Sequence, residues 1–279
     1  MLSIRNFTPR LYQETILASC AKSNCLIILP TGLGKTKTAI LVAAQRLNLY
    51  PQSKILFLTV TKPLAEQITK EARESLTINE DEVALFTGSV APEKRAQLFK
   101  HARVIVSTPQ CIENDFINKR VYFEDVSLLV IDEAHNAVGD YAYTWIAKQY
   151  QKISRFPRII GLTASPGSDL DKIKEVCTNL SIEDIEIRTD KDPDVRPYVH
   201  DIELTWVEVV LPPPFLDVSR FLRDFIKSRL EKLKEMGILQ KKNLAFVTKT
   251  ELLGMQSELR GRASLGEKDP TIWSGISTL

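Results

Sequence analysis

The stretch Leu29-Pro30-Thr31-Gly32-Leu33-Gly34-Lys35-Thr36 is the most informative part of the sequence. It joins a short apolar run to a helical pattern that continues to Leu49, which is the strand–turn–helix context of a phosphate-binding P-loop. Its glycines let backbone N–H groups face phosphate oxygens, and the helix N-terminus adds positive potential. We expect Lys35 to contact the β- and γ-phosphates and the Thr36 hydroxyl to ligate Mg²⁺. Leu29 stands where the general pattern has its first glycine, so a glycine-rich turn with an accidental Gly-Lys-Thr is the alternative.

Short apolar runs like the one before this loop recur through the first part of the chain. They are four to seven residues long, the length of strands that are buried on both faces. The runs are residues 25–30, 54–60, 104–107, 128–131 and 158–163. Strands of this kind, separated by helical patterns, predict an α/β domain with a mainly parallel sheet covered on both sides. We expect this domain to span residues 1–205.

A pair of carboxylates follows one of these runs, in Leu128-Leu129-Val130-Ile131-Asp132-Glu133-Ala134-His135. At the carboxyl edge of a parallel sheet, Asp132 can hold Mg²⁺ through water and Glu133 can polarise the water that attacks a γ-phosphate. Alone, Asp-Glu after a strand is commonly a solvated turn. Its position about a hundred residues after a P-loop makes the catalytic interpretation far more specific.

The run that ends near residue 163 leads into small hydroxyl residues, in Gly161-Leu162-Thr163-Ala164-Ser165-Pro166-Gly167. By itself this sequence predicts only a turn, because serine, proline and glycine favour turns. It indicates a function only through its place in the order of motifs, after the P-loop and the carboxylate pair.

Composition excludes several classes of protein. Apolar residues make up 44% of the chain and charged residues 26%, with a net charge of +2, as in ordinary globular domains and unlike disordered or fibrous chains. No apolar run approaches the ~18 residues of a membrane-spanning helix, and the N-terminus lacks the order of a secretory signal. The four cysteines form no Cys-x-x-Cys pair, so zinc is not expected and a cytoplasmic location is the default, nucleoid-associated in a prokaryote.

The pattern changes before residue 218. Residues 201–211 alternate weakly and are a candidate last strand, and Pro212-Pro213-Pro214 is expected to halt regular structure because proline lacks an N–H. Apolar positions from Val218 to Met236 then fit one helix face that stops at Gly237.

Two further helices are predicted after residue 247. A capping box at Thr248 starts one that ends at Gly261, and Thr271 starts another apolar face. Twelve Lys/Arg against six Asp/Glu make residues 218–268 basic, which is typical of a solvated helix surface or of nucleic-acid contact. We expect residues 206–279 to be a helical domain that is incomplete.

Taken in order, the motifs resemble those of the first motor domain of superfamily 2 helicases of the DEAH type. The amino-acid sequences of the motifs are most similar to those of archaeal Hef and Fanconi anaemia group M helicases, and those of RNA sensors and Dicer-type helicases are more distant. Further motifs of the superfamily are matched by Arg10-Leu11-Tyr12-Gln13, Thr59-Val60-Thr61-Lys62-Pro63-Leu64-Ala65-Glu66-Gln67, Thr87-Gly88 and Ser107-Thr108-Pro109-Gln110. The matches run from residue 10 to residue 167. The resemblance implies a RecA-like P-loop NTPase fold, followed by part of a helical insertion.

The resemblance also implies roles for individual residues. Arg10 and Gln13 would recognise adenine, and residues from Pro30 to Thr36 would hold ATP, with Mg²⁺ on Thr36 and Asp132. His135, Thr163 and Ser165 would couple the nucleotide site to the nucleic-acid site. The backbone of one nucleic-acid strand would be followed by Lys62, Pro63, Thr87, Gly88, Thr108, Pro109 and Gln110. A solvated helix start is the alternative for Lys62.

A complete motor of this kind has a second RecA-like domain with a Gln-x-x-Gly-Arg-x-x-Arg motif, and the sequence contains no such string. An arginine finger contributes roughly 10³ to 10⁵ in rate, so we expect ATP binding with slow turnover unless a second chain supplies the arginine. The leading hypothesis is the ATP-binding half of a DNA helicase or translocase that acts on forked or branched DNA. The alternatives are an ATP-dependent binding module, a subunit of a split helicase, or an RNA helicase of the same superfamily.

Overall fold

The computed structural model describes residues 3–165, 170–199, 205–239, 247–265, 267 and 269–278. The chain divides into two compact units, Met1–Asp201 and Ile202–Leu279. Within the described residues, no helix combines the length and apolar character needed to cross a membrane.

The first unit is built on a parallel sheet, which has seven strands among the described residues. The strands are β1 Cys25–Ile28, β2 Lys54–Leu58, β3 Val83–Phe86, β4 Val104–Ser107, β5 Val126–Ile131, β6 Ile159–Thr163 and β7 Asp184–Ile187. Their order across the sheet is β3-β4-β2-β5-β6-β1-β7, and every adjacent pair is parallel. The predicted α/β fold with a parallel, RecA-like sheet is confirmed.

Helices cover both faces of this sheet. They are α1 Leu11–Lys22, α2 Lys35–Leu49, α3 Lys62–Ser75, α4 Pro92–His101, α5 Pro109–Ile117, α6 Ala142–Ile153 and α7 Leu170–Asn179. Ile27 and Phe57 pack with residues of α1, α2 and α3, whereas their neighbours Leu26 and Leu56 pack with residues of α5 and α6. Alternate residues of one strand therefore enter two different cores, which is why the strands are apolar throughout.

Two strands have no counterpart among the predicted ones. β3 is only four residues long and follows Glu80–Glu82, and β7 alternates charged and apolar residues at an edge of the sheet. An edge strand needs fewer apolar side chains than a central one, which explains why a search for apolar runs passes over β7. β3, Val-Ala-Leu-Phe, is wholly apolar and was simply missed.

The second unit is helical, with α8 Pro213–Glu235, α9 Lys249–Ser264 and α10 Pro270–Thr278. Leu230, Leu233 and Leu239 form its small core. The expected stop after residue 236 is present, because Gly237 adopts a left-handed φ of 70°. Whether this unit is part of a helical insertion stays a prediction.

Three details of the prediction for this region are wrong. Pro213 and Pro214 begin α8 instead of halting structure, since the first helical turn needs no intrahelical N–H donors. α9 continues through Gly261 instead of ending there. Residues 205–211 have no regular structure, so the candidate strand is absent there, and its residues 201–204 lie outside the described residues.

Candidate nucleotide and nucleic-acid site

The candidate site residues of the first unit lie mainly where strands end at the carboxyl edge of the sheet. Strands β5, β6 and β1 are neighbours, and they lead to the Asp132 turn, to Thr163 and to the P-loop. Strands β3, β4 and β2 are also neighbours, and they lead to the candidate nucleic-acid residues Thr87, Thr108 and Lys62. The strand order thus gathers the nucleotide candidates in one half of the edge and the nucleic-acid candidates in the other. This edge is the usual ligand-binding side of an open parallel sheet.

The P-loop connects β1 to α2 through two left-handed glycines. Gly32 has φ 84° and Gly34 has φ 71°, a region where a Cβ is unfavourable. The Leu29 amide donates to the Thr163 carbonyl at 3.1 Å, which ties the start of the loop to the end of β6. Because α2 begins at Lys35, its first amides have no acceptors within the helix and face the loop. The loop therefore has the features of an anion cradle.

The Lys35 ammonium lies over this loop. Its Nζ donates to the carbonyl oxygens of Leu29, at 3.0 Å, and Pro30, at 3.5 Å. Burial lowers the pKa of Lys35, and the charges of Glu133 and Asp132 oppose that shift. A partly desolvated cation held by weak neutral acceptors can transfer its hydrogen bonds to a phosphate that enters the loop.

Asp132 directly follows β5 and accepts hydrogen bonds from two side chains. Its Oδ2 accepts a hydrogen bond from Thr59 Oγ1 at 3.0 Å, and its carbonyl accepts one from Tyr143 Oη at 2.9 Å. Burial is the main cause of a raised Asp132 pKa, while the Thr59 hydroxyl and Lys35 act in the opposite direction. The sequence interpretation missed Thr59 and Tyr143 as partners, since both contacts join residues far apart in the chain.

Glu133 and His135 form a connected turn after β5. Glu133 has a left-handed backbone, φ 50° and ψ 49°, which is costly for a residue with a Cβ. His135 Nδ1 lies 3.3 Å from Glu133 Oε2 and 3.1 Å from Thr163 Oγ1. Thr163 Oγ1 in turn donates to the Ser165 carbonyl at 3.0 Å. The structure thus brings together the carboxylate turn and the candidate coupling residues, and Pro166 and Gly167 lie outside the described residues.

The oxygen groups at this edge fit a magnesium ion bound together with a nucleotide. Mg²⁺ is commonly held by one or two protein oxygens plus substrate phosphates, and Thr36 and Asp132 supply a hydroxyl and a carboxylate. Among the residues that the structure describes, no group of three or more His, Cys, Asp or Glu side chains is arranged around a metal site. The donor set therefore matches a metal shared with a ligand.

Of the two candidate adenine residues, Gln13 is hydrogen-bonded to the P-loop and Arg10 contacts it through neighbouring residues. Gln13 is buried; its Oε1 accepts from the Arg10 amide at 3.0 Å and its Nε2 donates to the Gly34 carbonyl at 3.4 Å. Tyr12 Oη donates to the Leu33 carbonyl at 2.6 Å. The Arg10 guanidinium lies 4.8 Å from the centre of the Tyr198 ring. Tyr12 and Tyr198 were not among the predicted site residues, and Tyr198 carries no local motif that could have identified it.

The candidate nucleic-acid residues differ in exposure. Lys62, Pro63, Gly88 and Gln110 are exposed and Thr108 is half-buried, whereas Thr87 and Pro109 are buried. The Lys62 ammonium lies 3.7 Å from Glu66, one turn further along α3. Thr61 caps the N-terminus of α3, and α5 begins at Pro109. Because Thr87 and Pro109 are buried as whole residues, a ligand at these two turns would meet their exposed neighbours Gly88 and Gln110.

Comparison with protein families identifies this region independently. Residues 10–173 match the model of the DEAD/DEAH box helicase family. A Methanocaldococcus jannaschii protein named for ATP-dependent RNA helicase activity is 40% identical over 259 residues, 93% of this chain and 32% of that protein. The Drosophila melanogaster DEAD-box ATP-dependent DNA helicase Fancm is 33% identical over 269 residues, 95% of this chain and 18% of that protein.

Among solved structures, the crystal structure of the Pyrococcus furiosus Hef helicase domain resembles the chain with a TM-score of 0.69 and 43% sequence identity. The match covers 97% of this chain and 56% of that one. The chain thus spans about a third or less of these two curated relatives and about half of the solved helicase domain.

Proposed function

The chain belongs to the DEAD/DEAH box helicase family, and we propose that it is an ATP-binding motor domain that acts on a DNA strand. The observation that carries this proposal is how the carboxyl edge of the sheet is divided. One half carries the P-loop, and the other half carries exposed backbone and Lys62. Both halves meet where β2 lies beside β5.

In the nucleotide half, the proposed roles follow from chemistry and position. The P-loop amides and Lys35 bind the phosphates, and Gln13 and Arg10 contact the adenine. Thr36 and Asp132 hold Mg²⁺, which when bound neutralises charge on the β- and γ-phosphates. Glu133 orients water and accepts its proton. His135 couples the conformation of this turn to Thr163, which it contacts through Nδ1. The strained Glu133 backbone supports this role, because such strain is retained mainly at functional positions.

In the other half, we propose backbone recognition of one strand. Lys62 and the amides near Thr61, Gly88 and Gln110 are suited to phosphate contact, which carries little sequence specificity. Relatives are named both for DNA and for RNA helicase activity. We propose DNA because the Drosophila melanogaster relative, which aligns over 95% of this chain, is named a DNA helicase. Preference for forked or branched DNA is part of the proposal.

The second candidate function is an ATP-dependent binding module without motor activity of its own. One observation favours it: the sequence contains no Gln-x-x-Gly-Arg-x-x-Arg string to place arginines on the γ-phosphate. A second RecA-like domain, from the same protein or from another chain, would then be needed for fast turnover.

Steady-state ATP hydrolysis with and without forked DNA separates the two candidates, with Glu133→Gln as the blank. DNA-stimulated turnover well above the blank supports a motor ATPase. Tight ATP binding with turnover equal to the blank supports the binding module.

Lys35→Ala tests the phosphate site itself. We expect its affinity for Mg·ATP to fall at least about tenfold through loss of a charge-assisted contact. Unchanged affinity would show that the phosphate assignment is wrong.

A further inference from the structure

A buried ion pair lies beneath two of the candidate nucleic-acid loops. Arg95 on α4 is 5% exposed, and Asp115 on α5 is fully buried. Arg95 Nε donates to Asp115 Oδ2 at 2.5 Å and Nη2 donates to Oδ1 at 2.8 Å, a two-point contact. The third nitrogen, Nη1, donates to the carbonyl oxygens of Thr87, at 3.3 Å, and Val90. One guanidinium therefore joins a helix to the two ends of a turn.

The elements it joins are those that carry the candidate strand contacts. Residues 87–90 form a turn closed by a hydrogen bond from the Val90 amide to the Thr87 carbonyl at 3.0 Å, and Gly88 is exposed at its tip. α5 begins at Pro109, and Asp115 lies within the same helix. The Thr108 amide also donates to the Phe86 carbonyl at 3.3 Å, so the Arg95–Asp115 contact is a second, side-chain link between the turn after β3 and the helix after β4.

A purely structural role explains this arrangement less well. Buried ion pairs are often no more stabilising than apolar side chains of similar size, so packing α4 against α5 does not require one. An apolar pair could not donate hydrogen bonds to the carbonyls of Thr87 and Val90. The guanidinium supplies both functions, because its planar fork offers donors in two directions.

We propose that Arg95 and Asp115 are positioning residues for nucleic-acid binding. They hold the turn at residues 87–90 and the start of α5 in the relative position that presents both to one phosphate backbone. This inference rests on the proposed function, since it gives those loops their ligand. Neither residue contacts the P-loop elements in any hydrogen bond or ion pair described above, so nucleotide binding is expected to be independent of the pair.

The test uses the full chain and three variants. Arg95→Met combined with Asp115→Leu removes both buried charges, which protects folding. Arg120, whose Nη1 lies 3.6 Å from Asp115 Oδ1, loses this partner but is only half-buried and remains in contact with solvent. Arg95→Lys keeps the charge without the two-point geometry. Arg46→Met is the matched control, because Arg46 is equally buried and donates to the Ser127 and Phe156 carbonyls at 2.9 and 2.6 Å, away from these loops.

Binding of fluorescein-labelled forked DNA is measured by anisotropy over a range of salt concentrations, together with binding of a fluorescent ATP analogue and amide hydrogen exchange. We expect the double variant to bind DNA about tenfold more weakly, since the loops are no longer preorganised, and to show a smaller salt dependence. Arg95→Lys should lie between the double variant and the wild type. In the double variant, amide hydrogen exchange at residues 87–90 should accelerate, and affinity for the ATP analogue should stay unchanged. Arg46→Met should bind DNA with the affinity of the wild type.

Three results would overturn the inference in distinguishable ways. If wild-type chain binds the ATP analogue but no DNA, the proposed function and the inference fall together. If wild type binds DNA and the double variant binds it equally well, the positioning role alone is wrong. Equal weakening by the Arg46 control would show a general loss of stability and would also reject the specific role.

Discussion

As the proposed ligand of Mg²⁺, Asp132 would have to carry a charge in a place that disfavours one. Burial at the end of β5 raises its pKa, and repulsion from Glu133 adds to that shift, although Thr59 and Lys35 oppose it. In the ligand-free protein a charged Asp132 is therefore a source of instability that a bound cation would relieve. Sites that must bind ions commonly show this conflict between stability and function.

Asp132→Asn is expected to stabilise the ligand-free protein, most strongly at neutral and alkaline pH. Because the folded pKa lies above the unfolded one, the folded protein takes up this proton first as the pH falls. The penalty of the buried charge then disappears, and the advantage of the variant shrinks as the pH falls through the raised pKa. A gain on the order of 1 kcal/mol would raise the melting temperature by about 2–4 °C.

Thermal unfolding in EDTA at a series of pH values measures this difference. Asp140→Asn, which removes an exposed carboxylate, is the control for general effects of charge. A stability difference that does not vary with pH, or a less stable Asp132→Asn protein, would contradict the prediction.

Elements that are buried on both sides were predictable, and those shaped by partners were not. The pattern from Lys35 to Leu49 and the run at residues 104–107 coincide with α2 and β4. Their apolar residues and their boundaries are both local properties of the sequence. β7 depends on its pairing with β1, and α8 starts at a proline because its first turn has no use for the missing amide. The pairing of β7 is not contained in its local sequence, whereas the prolines at the start of α8 are a local helix-start signal that was interpreted as a stop.

Gly161 is a position where neighbouring elements meet too closely for a side chain. A Cβ there would lie 2.9 Å from Ala134 Cβ and 2.9 Å from Leu26 Cδ1. The leucine methyl can rotate away, but Ala134 Cβ can move only with its backbone, next to Glu133. We expect Gly161→Ala to cost about 1–3 kcal/mol through overpacking.

Urea unfolding of Gly161→Ala measures this cost, and Gly88→Ala is the matched control. A Cβ at Gly88 would meet no atom within 4 Å, so its substitution should leave stability nearly unchanged. Equal stability of Gly161→Ala and wild type would show that the turn at residue 134 is more adaptable than the structure indicates.

The molecule joins its two candidate sites through the centre of the sheet. Thr59 is fully buried at the end of β2; its amide donates to the Ser107 carbonyl at 3.0 Å and its hydroxyl donates to Asp132. It thus contacts the strand before the Thr108 loop and the candidate metal ligand, two residues before α3 is capped by Thr61. The sequence identified the candidate P-loop, the candidate carboxylates and the candidate strand-contact motifs, because each is a continuous string. It could not locate Thr59, Tyr12 or Arg95 as partners, because their contacts depend on strand order.

Thr59→Val is expected to weaken the energetic coupling between nucleotide and DNA. If the two ligands favour the same arrangement of the sheet edge, each should tighten the other by the same factor, roughly 5–150 in typical allosteric proteins. Valine keeps the shape of threonine but breaks the link to Asp132, so the factor should fall towards one. Thr59→Ser keeps the hydroxyl and should retain most of the coupling.

The coupling factor is measured in two ways at saturating Mg²⁺. One is the affinity for the ATP analogue with and without forked DNA, and the other is the affinity for DNA with and without the analogue. Agreement between the two values verifies the linkage, and wild-type coupling in Thr59→Val would place the connection elsewhere, with the contact between His135 and Thr163 as the next to test.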